Sequence, residues 1–115
     1  MITKLLFVDF DGVLHPTSAR GGDRFSRAHL LADACAMVSC DLVISSSWRY
    51  GTPLPTLIGY LPPALQRRVI GATGEPFRGP FPRYEEIKAY LRRQRPLAEW
   101  RALDDAWLGT AQAER

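Results

Sequence analysis

The stretch KLLFVDFDGVL, residues 4–14, decides the fold of this chain. Its continuous apolar run ends in two acids, Asp9 and Asp11. A short uninterrupted apolar run of this kind is typical of a strand buried on both faces of a parallel sheet. A second apolar run at residues 42–45 leads into three consecutive serines and predicts a second buried strand.

Outward from these two runs, strand patterns alternate with helical ones. We predict further strands at residues 68–71 and 100–103, the latter again ending in acids. The helical predictions are a helix at 27–39 capped by Ser26, one or two short helices in the proline-rich stretch 52–68, and a helix at 83–94 with Glu85, Glu86, Arg92 and Arg93 on its solvent side. This alternation predicts right-handed crossovers and a Rossmann-like three-layer α/β sandwich with a central parallel sheet.

Composition agrees with a small globular domain. The chain has 115 residues, 46% hydrophobic and 23% charged, so we expect residues 1–115 to form a single domain. No apolar run approaches the roughly 20 residues of a membrane span, and the start lacks the features of a signal peptide. We therefore expect a cytoplasmic protein without membrane contact. The two cysteines, Cys35 and Cys40, are expected to be buried free thiols.

The charge distribution is uneven but modest. The formal net charge is +3, residues 1–60 are balanced, and residues 61–115 hold the whole excess. Arginine provides most of the basic residues and favours bidentate phosphate contacts. This balance alone is weak support for nucleic-acid binding.

Polar residues follow three of the predicted strands at the points where they end. The carboxyl ends of parallel strands meet at one edge of a sheet, which is where such folds bind ligands. Four carboxylates brought together there repel one another unless a cation neutralises them, and their hard oxygen atoms favour Mg²⁺. The residues expected at this edge are Asp9, Asp11, Ser45, Ser46, Ser47, Asp104 and Asp105.

With these residues, the chain resembles the haloacid dehalogenase (HAD) superfamily. LLFVDFDGVL resembles its first motif, LVISSSWR its second, RYEEIKAYL its third and ALDD its fourth, in the family's order across residues 4–105. The combination is similar to small HAD domains without a cap, found alone in bacteria and phage or joined to RNA-repair modules. The resemblance implies a HAD-like sheet with no cap domain.

The resemblance also implies catalytic roles. Asp9 would attack phosphorus and form an aspartyl-phosphate, and Asp11 would act first as general acid and then as general base. Ser46 would bind a phosphoryl oxygen, with Ser45 as the alternative. Arg83 would offset the phosphoryl charge, although the motif also allows lysine and Lys88 is the nearest one.

The remaining expected contacts surround these groups. Mg²⁺ would be held by Asp9, the backbone carbonyl of Asp11 and Asp105, with support from Asp104. Further contacts to the substrate phosphate are expected from Gly12, Ser45, Ser47 and Arg49. We expect His15 to be a turn residue and Trp48 to pack against the core rather than stack on substrate.

The resulting prediction is a Mg²⁺-dependent phosphatase. Only about 33 residues separate Gly12 from Ser46, too few for a folded cap, so the open site suits a bulky phosphorylated substrate such as a nucleotide, a nucleic-acid end or a phosphoprotein. The alternative is a weak or inactive HAD-fold module that binds phosphate or a protein partner. We also expect that the sheet edge can support an oligomer.

Overall fold

The sheet and its flanking helices follow the predicted alternation. The computed structural model describes residues 4–15, 24–76, 78, 80–94 and 99–104. Its elements in chain order are β1 (Lys4–Val8), α1 (Ala28–Val38), β2 (Asp41–Ile44), a 3-10 helix (Ser47–Tyr50), α2 (Leu54–Gly59), α3 (Pro63–Gln66), β3 (Val69–Ala72), α4 (Pro82–Gln94) and β4 (Glu99–Leu103).

All described strands form one parallel sheet with the order β3-β2-β1-β4. The first strand in the chain therefore lies in the interior of the sheet, between β2 and β4. A strand with neighbours on both sides and helices on both faces is apolar wherever it is covered, which explains the LLFV run after the exposed Lys4. The predicted α/β architecture is confirmed.

Alternate residues of the strands face opposite layers, as the two-residue period of a strand requires. One core cluster joins the sheet to α1, α2 and α3 and includes Val8, Leu42, Ile44, Leu31, Leu57 and Leu65. The other joins the sheet to α4 and consists of Leu5, Phe7, Val43, Ile87 and Tyr90. The chain thus has three layers, and any side chain at a strand end belongs to one face or the other.

The helix predictions are confirmed except for two details. The prolines of stretch 52–68 stand in the first turns of α2 and α3, where the missing N–H costs nothing. Ser26 as the cap of α1 is wrong. Arg27 occupies the cap position without a side-chain hydrogen bond, because the turn at Phe25 lets the first helical amide, of Ala28, donate to the Phe25 carbonyl at 3.1 Å.

The second detail is Glu86, which was expected on the solvent side of α4. It is only 4% exposed and pairs with Arg49. Between β2 and α4 the described residues form only short elements of the main domain and no cap. None of the helices among the described residues is long and apolar enough to cross a membrane. That residues 1–115 form a single domain stays a prediction.

Candidate active site

A row of polar residues crosses the whole sheet at its carboxyl end. The last register pairs join the final residues of the four strands, Ala72, Ile44, Val8 and Leu103. One position further on stand, in sheet order, Thr73, Ser45, Asp9 and Asp104. Backbone hydrogen bonds continue to this level. The amides of Thr73, Ser45 and Asp9 donate, at 2.9–3.0 Å, to the carbonyls that end the neighbouring strands, those of Ile44, Val8 and Leu103.

The row faces α4. Phe7 and Val43 stand two positions before Asp9 and Ser45 and pack with Ile87 of α4. Because side chains alternate along a strand, Asp9 and Ser45 are on that same face. The sheet register, which no single segment of sequence specifies, therefore brings the first and fourth acidic motifs and one of the serines together.

Arg83, at the start of α4, lies against the acidic part of this row. Its Nη1 is 2.7 Å from Oδ2 of Asp104 and 3.5 Å from Oδ1 of Asp9. Burial lowers the pKa of Arg83, but the negative charges of Asp104, Asp9 and Glu86 outweigh burial and hold the pKa above its ordinary value. Lys88 instead pairs with Glu85 at 3.2 Å. The structure thus brings the predicted Arg83, and not Lys88, to Asp9.

Asp11 is held through both of its carboxylate oxygens. Oδ1 accepts a hydrogen bond from His15 Nε2 at 2.8 Å, and Oδ2 accepts one from Trp48 Nε1 at 3.0 Å. The side chain remains 38% exposed. Burial raises the pKa of Asp11, but the His15 and Trp48 hydrogen bonds and the charge of Arg24 together lower it by more. The net pKa therefore lies below its ordinary value.

His15 and Trp48 are site residues whose part in the site was not predicted. His15 does lie in a turn, where Gly12 at φ 79° donates its amide to the His15 carbonyl at 2.8 Å. Trp48 does pack against the core, beside Phe10. Each therefore meets its expected structural role and contacts Asp11 as well. The four-residue spacing of Asp11 and His15 was the one local signal of this contact.

The three serines separate into different environments. Ser46 Oγ accepts the amide of Trp48 at 3.2 Å and caps the 3-10 helix. Ser47 is exposed at the first position of that helix. Ser45 Oγ is buried and has no hydrogen-bond partner in the part of the chain that the structure describes. A buried hydroxyl without a partner is costly, so this one is suited to meet a ligand.

Arg49 was expected beside the substrate, and the structure gives it other partners. Its guanidinium forms a buried ion pair with Glu86 and donates to the carbonyls of Ser46 at 2.8 Å and Gly74 at 3.2 Å. The expectation that Glu86 faces solvent is wrong for this reason, since the residue compensates a buried cation. Arg49 ties the serine segment to β3 and α4.

The residues present fit Mg²⁺ by chemistry. Asp9 and Asp104 stand in one row and offer the hard oxygen ligands that Mg²⁺ prefers. The Arg83 guanidinium lies beside both carboxylates, so the space next to them already stabilises a positive charge. Asp105, the expected third ligand, lies outside the described residues. Within the described ranges no group of three or more His, Cys, Asp or Glu side chains is placed to hold a metal ion.

Comparison with known proteins agrees with the fold. The parallel sheet is consistent with a small domain of the HAD superfamily, and the family model that matches the chain shows this membership. The chain belongs to the family of HAD domains in Swiss Army Knife RNA repair proteins, whose model matches residues 5–115. No curated protein and no solved structure matched the chain. Membership implies a hydrolase module of the phosphatase type, and HAD domains generally use Mg²⁺.

Proposed function

We propose that this domain is a Mg²⁺-dependent phosphatase that hydrolyses phosphate monoesters through an aspartyl-phosphate on Asp9. The observation that carries the proposal is the row of Ser45, Asp9 and Asp104 with Arg83 against it. It combines a nucleophile, a hydroxyl donor and a cation around one position. The amide of Phe10 donates to Asp9 Oδ1 at 2.8 Å and helps to orient the carboxylate.

The first half-reaction transfers the phosphoryl group to the protein. A carboxylate oxygen of Asp9 attacks phosphorus, the bond from phosphorus to the ester oxygen breaks, and Asp11 gives its proton to the departing oxygen. The lowered pKa leaves Asp11 ionised in the free protein at neutral pH. A phosphate dianion beside it favours the protonated form, so Asp11 takes up a proton from solvent when the substrate binds and becomes the general acid.

The second half-reaction returns the protein to its starting state. Asp11, now ionised, takes a proton from water while that water attacks the phosphorus of the aspartyl-phosphate. The bond from phosphorus to Asp9 breaks, phosphate leaves, and Asp11 releases the proton to solvent. Two steps with lower barriers thus replace one difficult displacement.

The other residues of the row support charge and orientation. We assign the phosphoryl-binding hydroxyl to Ser45 rather than Ser46. The Ser46 oxygen caps a helix, whereas the Ser45 oxygen lies on the side of Asp9 and has no hydrogen-bond partner among the described residues. Arg83 offsets negative charge on Asp9 and the phosphoryl group. When bound, Mg²⁺ would be held by Asp9 and Asp104, with Asp105 and the Asp11 carbonyl as the other predicted ligands, and would neutralise charge on the transferring group.

For the substrate we propose phosphate-bearing RNA ends. The family's own description connects its members with RNA repair. The described residues form no cap over the site, which leaves room for a polymer end. Asp11, which must reach the leaving oxygen, is 38% exposed. The basic excess of residues 61–115 adds a general attraction for polyphosphate.

The test is hydrolysis of a generic aryl phosphate, of a phosphopeptide and of an RNA oligonucleotide with a terminal phosphate, each with and without Mg²⁺. We expect Mg²⁺-dependent turnover by the wild type, none by Asp9→Asn, and unchanged turnover by the control Asp33→Asn, which alters an exposed acid of α1. Beryllofluoride should add to the wild type at Asp9.

Three results would contradict parts of this proposal. Equal turnover by Asp9→Asn would exclude the aspartyl-phosphate route. Phosphate binding without turnover would favour a non-catalytic module. A rate on RNA ends no higher than on phosphopeptides would exclude RNA as the preferred substrate.

A further inference from the structure

The carboxylate of Asp11 is bound by two side chains from different parts of the chain. His15, four positions away, donates to Oδ1 at 2.8 Å, and Trp48, 37 positions away, donates to Oδ2 at 3.0 Å. An aspartate side chain turns about two bonds, and donors on both oxygens restrain both rotations. The two N–H groups thus hold the carboxylate in one orientation while leaving it partly open to solvent.

His15 is itself rigidly held. Its Nδ1 accepts the amide of Phe25 at 3.0 Å, so in the neutral ring the proton is on Nε2, the atom that faces Asp11. The ring is 2% exposed and packs edge-on against Phe25 at 5.0 Å. Phe25 adopts φ 60°, a left-handed conformation that is unfavourable for a bulky residue. This strained residue is the one whose amide fixes the His15 ring.

Trp48 is held from the other side. Its amide donates to Ser46 Oγ at the start of the 3-10 helix, and its ring packs edge-on against Phe10 at 5.5 Å and Phe25 at 5.6 Å. The hydrogen bond to Ser46 thus fixes the backbone of Trp48, whose indole N–H donates to Asp11.

We propose that His15 and Trp48 are positioning residues that hold Asp11 where it can exchange a proton with the leaving oxygen and then with water. This rests on the proposed function of Asp11. In the first step the proton passes from Asp11 to the leaving oxygen, and in the second it passes from water to Asp11. His15 and Trp48 keep their own protons throughout.

Geometry gives the reason for such a restraint. Proton transfer needs heavy atoms within about 2.6–3.2 Å of each other. A displacement of about 1 Å can cost on the order of 10²-fold in rate. Asp11 stands in a turn beyond the last residue of β1 and outside the sheet ladder, so its side chain depends on these two donors for a fixed position.

The test compares leaving groups, because a nitrophenolate departs without a proton whereas an alkoxide of ribose needs one. The measured quantity is single-turnover release of the leaving group in saturating Mg²⁺, from nitrophenyl phosphate and from a ribonucleoside monophosphate. We use His15→Phe and Trp48→Phe, which keep an aromatic ring and remove the N–H donor. His29→Phe, on an exposed position of α1, is the control.

We expect both variants to slow release of the nucleoside on the order of 10²-fold and to slow release of nitrophenol far less. His15→Gln, whose side-chain amide can again donate to Asp11, should restore much of the nucleoside rate. A role confined to packing would lower both rates alike, or neither.

The outcomes are distinguishable. Equal losses with the two substrates, or no loss, in a variant that unfolds at the wild-type temperature overturn the proposal. If His15→Phe fails to fold, Trp48→Phe decides, because that ring is only half-buried. A wild type that releases neither leaving group overturns the proposed function itself, a result different from equal losses in the variants.

Discussion

Arg49 and Glu86 form an ion pair in which both side chains are almost fully buried, 6% and 5% exposed. The pair joins the segment after β2 to α4, so it connects the serines with the helix that carries Arg83. Two charges removed from water stabilise a fold only while they compensate each other. Removing one partner of this pair should therefore lower the free energy of unfolding far more than removing a surface charge does.

Glu86→Leu should lower the free energy of unfolding by about 3–5 kcal/mol, because it leaves a buried guanidinium without its carboxylate. The control is Glu85→Leu, one residue earlier, whose side chain is 37% exposed and pairs with Lys88. An exposed pair is worth about 0–1 kcal/mol, so this change should be small. Denaturant unfolding measures both, and equal losses would contradict a buried pair.

Arg83→Met should reduce kcat on the order of 10²–10³-fold, as expected when a preorganised charge beside the transferring group is lost. The matched control is Lys88→Met, which removes the nearest lysine of the same helix. Lys88 contacts Glu85 and the ring of Tyr84, away from the row. A larger loss in Lys88→Met would return the third-motif role to the lysine.

Ser45→Ala should affect mainly kcat, whereas Ser46→Ala should affect mainly stability. Ser45→Ala should lower kcat while leaving stability unchanged, because its buried oxygen has no partner among the described residues. Ser46→Ala removes the cap of the Trp48 amide and should cost about 1 kcal/mol of stability. Thermal unfolding and steady-state kinetics of both variants separate the two roles. Greater loss of kcat in Ser46→Ala without destabilisation would reverse our assignment.

The stability of the protein should depend on the ionisation of Asp11. Its pKa lies below the ordinary value of 3.8, since burial raises it less than the His15 and Trp48 hydrogen bonds and Arg24 lower it. The folded state then binds fewer protons than the unfolded state, so this contribution is present above the unfolded pKa. It is lost as the pH falls through the folded pKa.

Thermal unfolding of wild type and Asp11→Asn between pH 6 and pH 2 measures this contribution. The advantage of the wild type should shrink on acidification. It should be small throughout, because the side chain is 38% exposed and water screens its interactions. A constant difference across the range would show that Asp11 has the same pKa in both states.

Cys35 should be unreactive in the folded protein. Burial, together with Cys40 whose Sγ is 3.6 Å away, raises the pKa of its thiol to about 11. At pH 8 on the order of 0.1% is then thiolate, the reactive form. Labelling with a disulfide reagent should be slow in buffer and rapid in denaturant. Rapid labelling of Cys35 in the folded protein would contradict its burial.

Local sequence patterns predicted the helices and strands well, because the residues that favour each element lie within that element. The apolar runs that became β1 and β2 are uninterrupted and too short for a typical helix, which favours a buried strand. The prolines of stretch 52–68 limited α2 and α3 to short helices. Ser26 failed as a cap because a backbone turn at Phe25, with φ 60°, met the first helical amide instead.

Periodicity failed for Glu86 for a different reason. A helical pattern assigns an acid to solvent, since isolated buried charges are unfavourable. Here the compensating cation comes from Arg49, 37 positions earlier, and only folding brings the two together. The same separation divides Asp11 from Trp48. Neither contact has a signature in the spacing of nearby residues.

The sequence by itself determined which residue types reach the carboxyl edge of the sheet. Apolar strands that end in Asp9, Ser45 and Asp104 require those groups to meet wherever parallel strands pair. The tertiary structure alone decided which atom meets which partner. A shift of one residue in register reverses the face of every side chain, so it is the pairing of β1 with β2 that turns Ser45 rather than Ser46 toward the side of Asp9.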